Sequence, residues 1–245
     1  MKIETILSPA ELPTLANRDR RATACIVFDI LRATSTFVTA LQNGAAAIIP
    51  VSEISEAMAL RHQRPEVLLA GERNGVKISA ALTGSIHFDF GNSPREFRPE
   101  KVRGKTIVST TTNGTRALRA CVGAKIVLAS SFLNLAATAK FLNQAQPETV
   151  RLVCAGTGEG VAMEDVLAAG ALAGLLAGQF SDATEVAVRT FISARTELAT
   201  VLGSSLNARR LLAIPELRAD VAFCSQRDVF NLVAEMKTDG SIQRG

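Results

Sequence analysis

Four hydroxyl residues in a row, Ser109, Thr110, Thr111 and Thr112, lead into Asn113, Gly114, Thr115 and Arg116. The run sits between two apolar stretches, as "IVSTTTNGTRAL". A helix start needs one capping side chain. Four hydroxyls before Asn-Gly-Thr-Arg exceed that need and point to anion binding. Helix N-termini present unpaired N–H groups and partial positive charge, and hydroxyls with a guanidinium fork complete a phosphate cradle. "DILRATST" has the same character: Asp29, then Arg32, Thr34, Ser35 and Thr36. Ordinary capping is the plain alternative for any one of these hydroxyls.

Carboxylates are the second chemical signal. Asp29 ends an apolar run, Glu72 follows another in "LLAGERNG", and Glu164 with Asp165 begins a helical stretch. One acid at a helix start needs no explanation beyond the dipole. Gathered on one sheet edge, these acids would form an oxygen-rich site for Mg²⁺. Such a metal bridges phosphate oxygens and offsets charge in phosphoryl transfer. Arg73 and Lys77 in "GERNGVK" add cations that the flanking glycines can turn inward, with a surface position as the plain alternative. His62 and His87 are the only histidines, and neither follows a strand, so a Ser-His-Asp arrangement is unsupported. Cys154 ends a strand before glycine-rich backbone, but no Arg stands at the spacing a thiolate phosphatase loop needs. It reads as a buried structural thiol. "CAGTGEG" lacks the context of a dinucleotide fingerprint and no P-loop is present, which favours a small phosphorylated compound over ATP or NAD.

Positioning these groups requires repeated strand-loop-helix units. "TACIVFDI", "KTIVSTT", "AKIVLASS" and "TVRLVCAGT" are short apolar runs, each followed by a polar loop and a helical pattern. "AAAIIPVS" and "EVLLAGE" add two strands with "EISEAMALRHQ" as a helix between them. Runs apolar on both faces predict an α/β fold with a mainly parallel sheet and helices on both faces. In such sheets ligands sit beyond the strand carboxyl ends, where the candidate residues fall. Gly44, Gly123 and Gly178 follow helical patterns and predict left-handed caps. Residues 77–99 read as an irregular excursion or hairpin. The chain reads as a single domain over 1–245, with 182–245 a helix-rich candidate cap over the sheet edge.

Composition narrows the class. The chain has 245 residues, 47% of them hydrophobic, so a sizeable core is available. Aromatics are only 4%, with no Trp or Tyr, which disfavours base stacking. A net charge of +4 suits a small anionic ligand, and the densest basic cluster, Arg18, Arg20 and Arg21, reads as a solvated loop rather than a nucleic-acid patch. The four cysteines have no zinc spacing and read as reduced thiols of a cytoplasmic protein. "MKIETILSPAELP" has charge and proline where a secretory apolar core belongs. The longest apolar run, "VLAAGALAGLLAG", is too short for a membrane span. A symmetric dimer is the base-rate expectation for assembly.

"FDILRATST", "GERNGVK", "FGNSP", "STTTNGTRA" and "CAGT" with "EDVLAAGAL" together resemble the 2-phosphosulfolactate phosphatase family in order and rough spacing, over about residues 25–178. The resemblance implies a three-layer α/β/α fold. It also implies a Mg²⁺-dependent hydrolase converting 2-phosphosulfolactate to 3-sulfolactate and phosphate, a step of coenzyme M biosynthesis. On that expectation Asp29, Glu72, Glu164 and Asp165 hold or orient the metal. Arg32, Arg116 and the loop Thr110, Thr111, Thr112, Asn113, Gly114 and Thr115 bind phosphate with Thr34 and Ser35. Asn92 and Ser93 of "FGNSP" join the substrate site, while Arg73 and Lys77 face the carboxylate and sulfonate end. One departure is "ISAALTGSIHF", which makes the connection between Lys77 and "DFGNSP" several residues longer than is usual in the family. A non-catalytic sensor of a phosphorylated or sulfonated metabolite is the alternative, disfavoured because an anion binder gains nothing from nearby carboxylates without a cation.

Overall fold

The computed structural model describes residues 1–17 and 20–245. Its strands are β1 (Lys2–Ile6), β2 (Thr23–Phe28), β3 (Ala47–Pro50), β4 (Leu68–Arg73), β5 (Val76–Lys77), β6 (Thr106–Thr110), β7 (Ile126–Ser130), β8 (Thr149–Cys154), β9 (Gln179–Phe180), β10 (Ala234–Met236) and β11 (Ile242–Arg244). The helices are α1 (Ala33–Gln42), α2 (Ile54–Gln63), α3 (Ala80–Thr83), α4 (Pro99–Val102), α5 (Gly114–Ala120), α6 (Leu135–Ala145), α7 (Met163–Ala173), α8 (Asp182–Ala194), α9 (Leu198–Gly203), α10 (Leu206–Leu212) and α11 (Arg218–Cys224). One sheet runs in the order β5-β4-β6-β3-β11-β10-β7-β2-β8-β1-β9.

The sheet is mainly parallel with helices on both faces, a three-layer α/β/α arrangement. Strand alternation explains the layers. On β2, Ala24, Ile26 and Phe28 face the layer containing α6, α7 and α8. Cys25 and Val27 face the opposite layer, built on α1 and α5. A smaller cluster under α2 joins Val51, Ala57, Leu69 and Val108. The larger of these side chains, such as Ile26, Phe28, Val27 and Leu69, each contribute roughly 1.5–3 kcal/mol when fully buried.

Two parallel blocks, β4-β6-β3 and β7-β2-β8-β1-β9, are joined by a C-terminal hairpin. β10 pairs antiparallel with β7 and with β11, and β11 pairs antiparallel with β3. In a flat sheet, β6 and β2 would stand about 24 Å apart across five strand spacings. Instead Gly114, just beyond β6, packs directly against Asp29, just beyond β2. The sheet must therefore coil, and this coiling brings loops from both blocks to one rim.

Residues 182–245 divide between three tasks. α8 packs on α7, α9 to α11 gather beside the strand ends, and the last residues form the hairpin in mid-sheet. β1, also unforeseen from the sequence, lies between β8 and β9. Gly44 and Gly123 adopt φ +90° and +92°, as expected of left-handed caps. Gly178 does not: a Cβ there would lie 2.5 Å from the Met1 carbonyl oxygen, so close backbone approach explains it. In the longer connection, Ile78 and Phe88 are buried with Leu69 and Val108. Of the basic cluster, Arg18 lies outside the described residues, and Arg20 donates to the Val122 carbonyl at 2.6 Å. Among the described residues no helix is long and apolar enough to cross a membrane.

Candidate active site

β2 delivers Asp29 to the rim, and the turn into α1 fixes it there. The Thr34 hydroxyl accepts from the Asp29 N–H and donates to its carbonyl, both at 3.0 Å. Ser35 Oγ donates to the Ile30 carbonyl at 2.9 Å. Asp29 Oδ1 accepts from the Ala33 N–H at 3.0 Å, so the carboxylate caps α1 with favourable dipole alignment. The other oxygen, Oδ2, meets α5: a Cβ on Gly114 would lie 2.6 Å from it. The Asn-Gly of "TTTNGTR" is thus a steric requirement of two chain segments meeting at the carboxylate.

Glu72 locks the opposing loops. Its Oε1 accepts from the Thr112 N–H and hydroxyl, each at 3.0 Å, and its Oε2 accepts from the Gly75 N–H at 2.8 Å. Asn113 Nδ2 donates to the Gly156 carbonyl at 2.8 Å. Asp165 joins two loops, accepting from Ile30 N–H at 2.8 Å and Gly156 N–H at 3.0 Å. Buried Arg32 donates Nη1 to Asp220 Oδ2 at 2.8 Å and Nη2 to the Gly75 carbonyl at 2.7 Å. Ser93 Oγ donates to the second Asp220 oxygen at 2.7 Å, and the Thr36 hydroxyl donates to the Asn92 carbonyl at 2.8 Å.

These groups surround a cleft of about 690 Å³. Asp29, Arg32, Glu72, Asn92, Thr112 and Asn113 line it beside Gly156, Thr157 and Gly158. Helix α10 closes the far side with Asn207, Arg210 and Leu211. Burial, then the nearby charges of Glu72 and Glu164, push the Asp29 carboxyl up to about 7, against the opposing effects of the Ala33 N–H and Arg32. Burial and the adjacent Glu164 and Asp29 charges also raise Asp165. The Cys154 thiol is held well above its ordinary range by burial, in keeping with a structural role. Neither His62 nor His87 lines the cleft.

Several expected ligands stand elsewhere. Arg116 is exposed and paired with Glu159 outside the lining. Arg73 donates to the Glu72 carbonyl at 2.7 Å and to Thr110 Oγ1 at 3.1 Å. Lys77 donates to the Asp89 carbonyl at 2.8 Å. The hydroxyl run is largely consumed locally: Thr110 donates to the Ser52 carbonyl at 3.0 Å, Thr115 N–H donates to Thr111 Oγ1 at 3.2 Å, and Thr115 Oγ1 donates to the Thr111 carbonyl at 2.9 Å. Thr34 and Ser35 shape the turn below Asp29. Glu164 lies behind the lining, its Oε1 accepting from Asn207 at 2.7 Å. Asn207, Arg210 and Asp220 were not singled out from the sequence. Asp220 carries no sequence signal, since it stands in the first turn of α11, where an acid is ordinary, and only the structure shows it fully buried.

The charged oxygen donors lining the cleft are Asp29 and Glu72, with neutral amide and hydroxyl groups beside them and no His or Cys among the described residues of the lining. Among the described residues no group of three or more His, Cys, Asp or Glu is arranged to hold a metal. Two carboxylates facing one cleft suit a hard cation that keeps water and substrate oxygens as its other ligands, and do not suit zinc. Mutual repulsion, seen in the raised Asp29, is what a bound cation would relieve.

An α/β sheet with carboxylates, a buried guanidinium and amide donors around one rim cleft is suited to holding a small anion. The model of a family described as 2-phosphosulpholactate phosphatase matches residues 8–239. A protein of Thermotoga petrophila named "Probable 2-phosphosulfolactate phosphatase" is 42% identical over 209 residues, 85% of this chain and 86% of its own. Proteins of the same name from Caldicellulosiruptor saccharolyticus and Carboxydothermus hydrogenoformans are 37% and 35% identical, covering 97% and 100% of this chain and 97% and 95% of their own. The chain belongs to the 2-phosphosulpholactate phosphatase family and is a phosphoric monoester hydrolase.

Proposed function

We propose that the cleft hydrolyses 2-phosphosulfolactate, or a closely similar small phosphorylated acid, to 3-sulfolactate and phosphate with Mg²⁺ as cofactor. The observation that carries this reading is the meeting of Asp29, Glu72 and Arg32 on one cleft in a member of this family. Asp29 and Glu72 would hold the metal, with Glu164 behind them. Bound there, Mg²⁺ would offset the negative charge of the phosphoryl group.

Arg32 is the phosphoryl-binding cation. Two of its five N–H donors are occupied by Asp220 and Gly75, which fixes the plane of the guanidinium and leaves the others for oxygen ligands. Asp29 Oδ2 has no hydrogen bond among the described residues. It either accepts a proton from the attacking water or attacks phosphorus itself; in both cases the P–O ester bond breaks and the sulfolactate oxygen leaves, and in the second water then cleaves the acyl phosphate to release phosphate. Its pKa near 7 belongs to the metal-free cleft; a bound cation would lower it and keep the carboxylate ionised for either role. The stereochemical course at a phosphorus made chiral with oxygen isotopes separates the two: inversion indicates direct attack by water, and net retention indicates an acyl-phosphate on Asp29.

The test is phosphate release from a panel of small phosphorylated acids including 2-phosphosulfolactate, with Mg²⁺ or excess EDTA. Release with Mg²⁺ and its loss in EDTA are expected. Full activity in EDTA would reject the metal, and tight binding without turnover would leave the sensor reading standing.

A further inference from the structure

The cations around the cleft can be sorted by what already neutralises them. Arg32 is paired with Asp220. Arg116 is paired with Glu159. Arg73 and Lys77 bind carbonyl oxygens and do not line the cleft. Arg210 differs from all four. It lines the cleft, and no hydrogen bond or ion pair engages its guanidinium among the described residues.

The helix that carries Arg210 is firmly placed. Ser205 caps α10, its Oγ accepting from the Ala208 N–H at 3.2 Å. Asn207, three residues before Arg210 and so on the same helix face, donates to Thr157 Oγ1 at 2.6 Å and to Glu164 Oε1 at 2.7 Å. Helix α10 therefore presents Arg210, exposed and unpaired among the described residues, across the cleft from the Asp29, Glu72 and Arg32 rim.

We infer that Arg210 binds the acid group of the substrate, carboxylate or sulfonate, and thereby selects phosphorylated acids over neutral phosphate monoesters. The inference rests on the phosphatase reading of the same cleft and assigns a task that reading leaves open. A substrate with anionic groups at two ends needs a cation at each. Arg32 and the carboxylate-held metal serve the phosphoryl end, and only Arg210 remains uncommitted for the other. A planar fork suits either oxyanion. A neutral alcohol would leave the guanidinium unpaired on binding, which is how one residue can discriminate.

The test compares Arg210→Ala and Arg210→Lys with the unmodified enzyme on 2-phosphosulfolactate and on p-nitrophenyl phosphate. Arg210→Ala should raise KM for 2-phosphosulfolactate by about 10- to 100-fold, the loss of a charge-assisted hydrogen-bonded pair. Its kcat should change little, KM for p-nitrophenyl phosphate should stay within about two-fold, and Arg210→Lys should recover part of the loss. Equal losses on both substrates, or no loss on either, would overturn the assignment. If the unmodified enzyme hydrolyses neither substrate, the phosphatase reading fails by itself, and direct binding then decides the role of Arg210. Weakened 3-sulfolactate binding with inorganic phosphate binding retained supports it; unchanged 3-sulfolactate binding refutes it.

Discussion

The chemistry proposed for the site centres on the Asp29 carboxyl group. Its pKa rises from 3.8 to about 7 on folding, so the native state holds an extra proton across that interval. Metal-free protein should be most stable below this interval and lose stability as pH rises through it. Asp29→Asn removes the repulsion with Glu72 and Glu164. It should raise the Tm of the EDTA-treated protein at pH 8, by about 2–4 °C for each kcal/mol relieved, and flatten the pH dependence. The same substitution should lower kcat by about 10³-fold, the order expected of losing an acid-base group. An unchanged melting profile would show that burial does not disfavour this charge. Asp220 is fully buried against Arg32, whose side chain is 2% exposed. Asp220→Ala would strand that guanidinium at a cost of about 3–5 kcal/mol, read as a lower denaturation midpoint. Asp220→Asn should retain most of the fold but loosen Arg32, raising KM more than it lowers Tm.

At the scale of elements, the junction of β2 with α1 and of β6 with α5 decides whether the site exists. Gly114→Ala would put a methyl 2.6 Å from both Asp29 Oδ2 and Ala33 Cβ. Overpacking of this kind costs about 1–3 kcal/mol, and here it also displaces the reactive carboxylate. Activity should fall by more than the Tm shift alone implies; a variant with full kcat would show that α5 can retreat without moving Asp29. The strands that feed the site were readable because their apolar runs are long enough to show both faces, as in "TACIVF" and "TVRLVC". Asp29 and Glu72 were readable because acids directly after such runs have few structural reasons to be there. The hydroxyl run was readable as unusual, but its reason was not. Thr110 donates to the Ser52 carbonyl beyond β3, while Thr111 and Thr115 satisfy backbone groups of the β6–α5 turn, and no spacing rule separates either task from phosphate binding. Arg210 and Asn207 were hidden because "LNARRLL" is an ordinary amphipathic helix until its neighbours are known.

Across the whole molecule, the C-terminal hairpin links the two parallel blocks, and its strands of three residues each were too short to show a period. Ala234 and Ile242 are completely buried in the core shared with β2, β6, α1 and α5. Removing residues 233–245 should therefore abolish cooperative unfolding, although these residues lie outside the cleft lining. A truncated protein with an unchanged thermal transition would show that the hairpin only decorates the sheet. We propose that loops from both blocks enclose one phosphoryl group between Asp29, Glu72 and Arg32. A crystal structure grown with Mg²⁺ and vanadate tests it most directly. Vanadate against the Arg32 guanidinium, with the metal on Asp29 and Glu72, is the predicted result. Vanadate bound instead beside Arg116 and Glu159, with the cleft filled by water, would contradict the account.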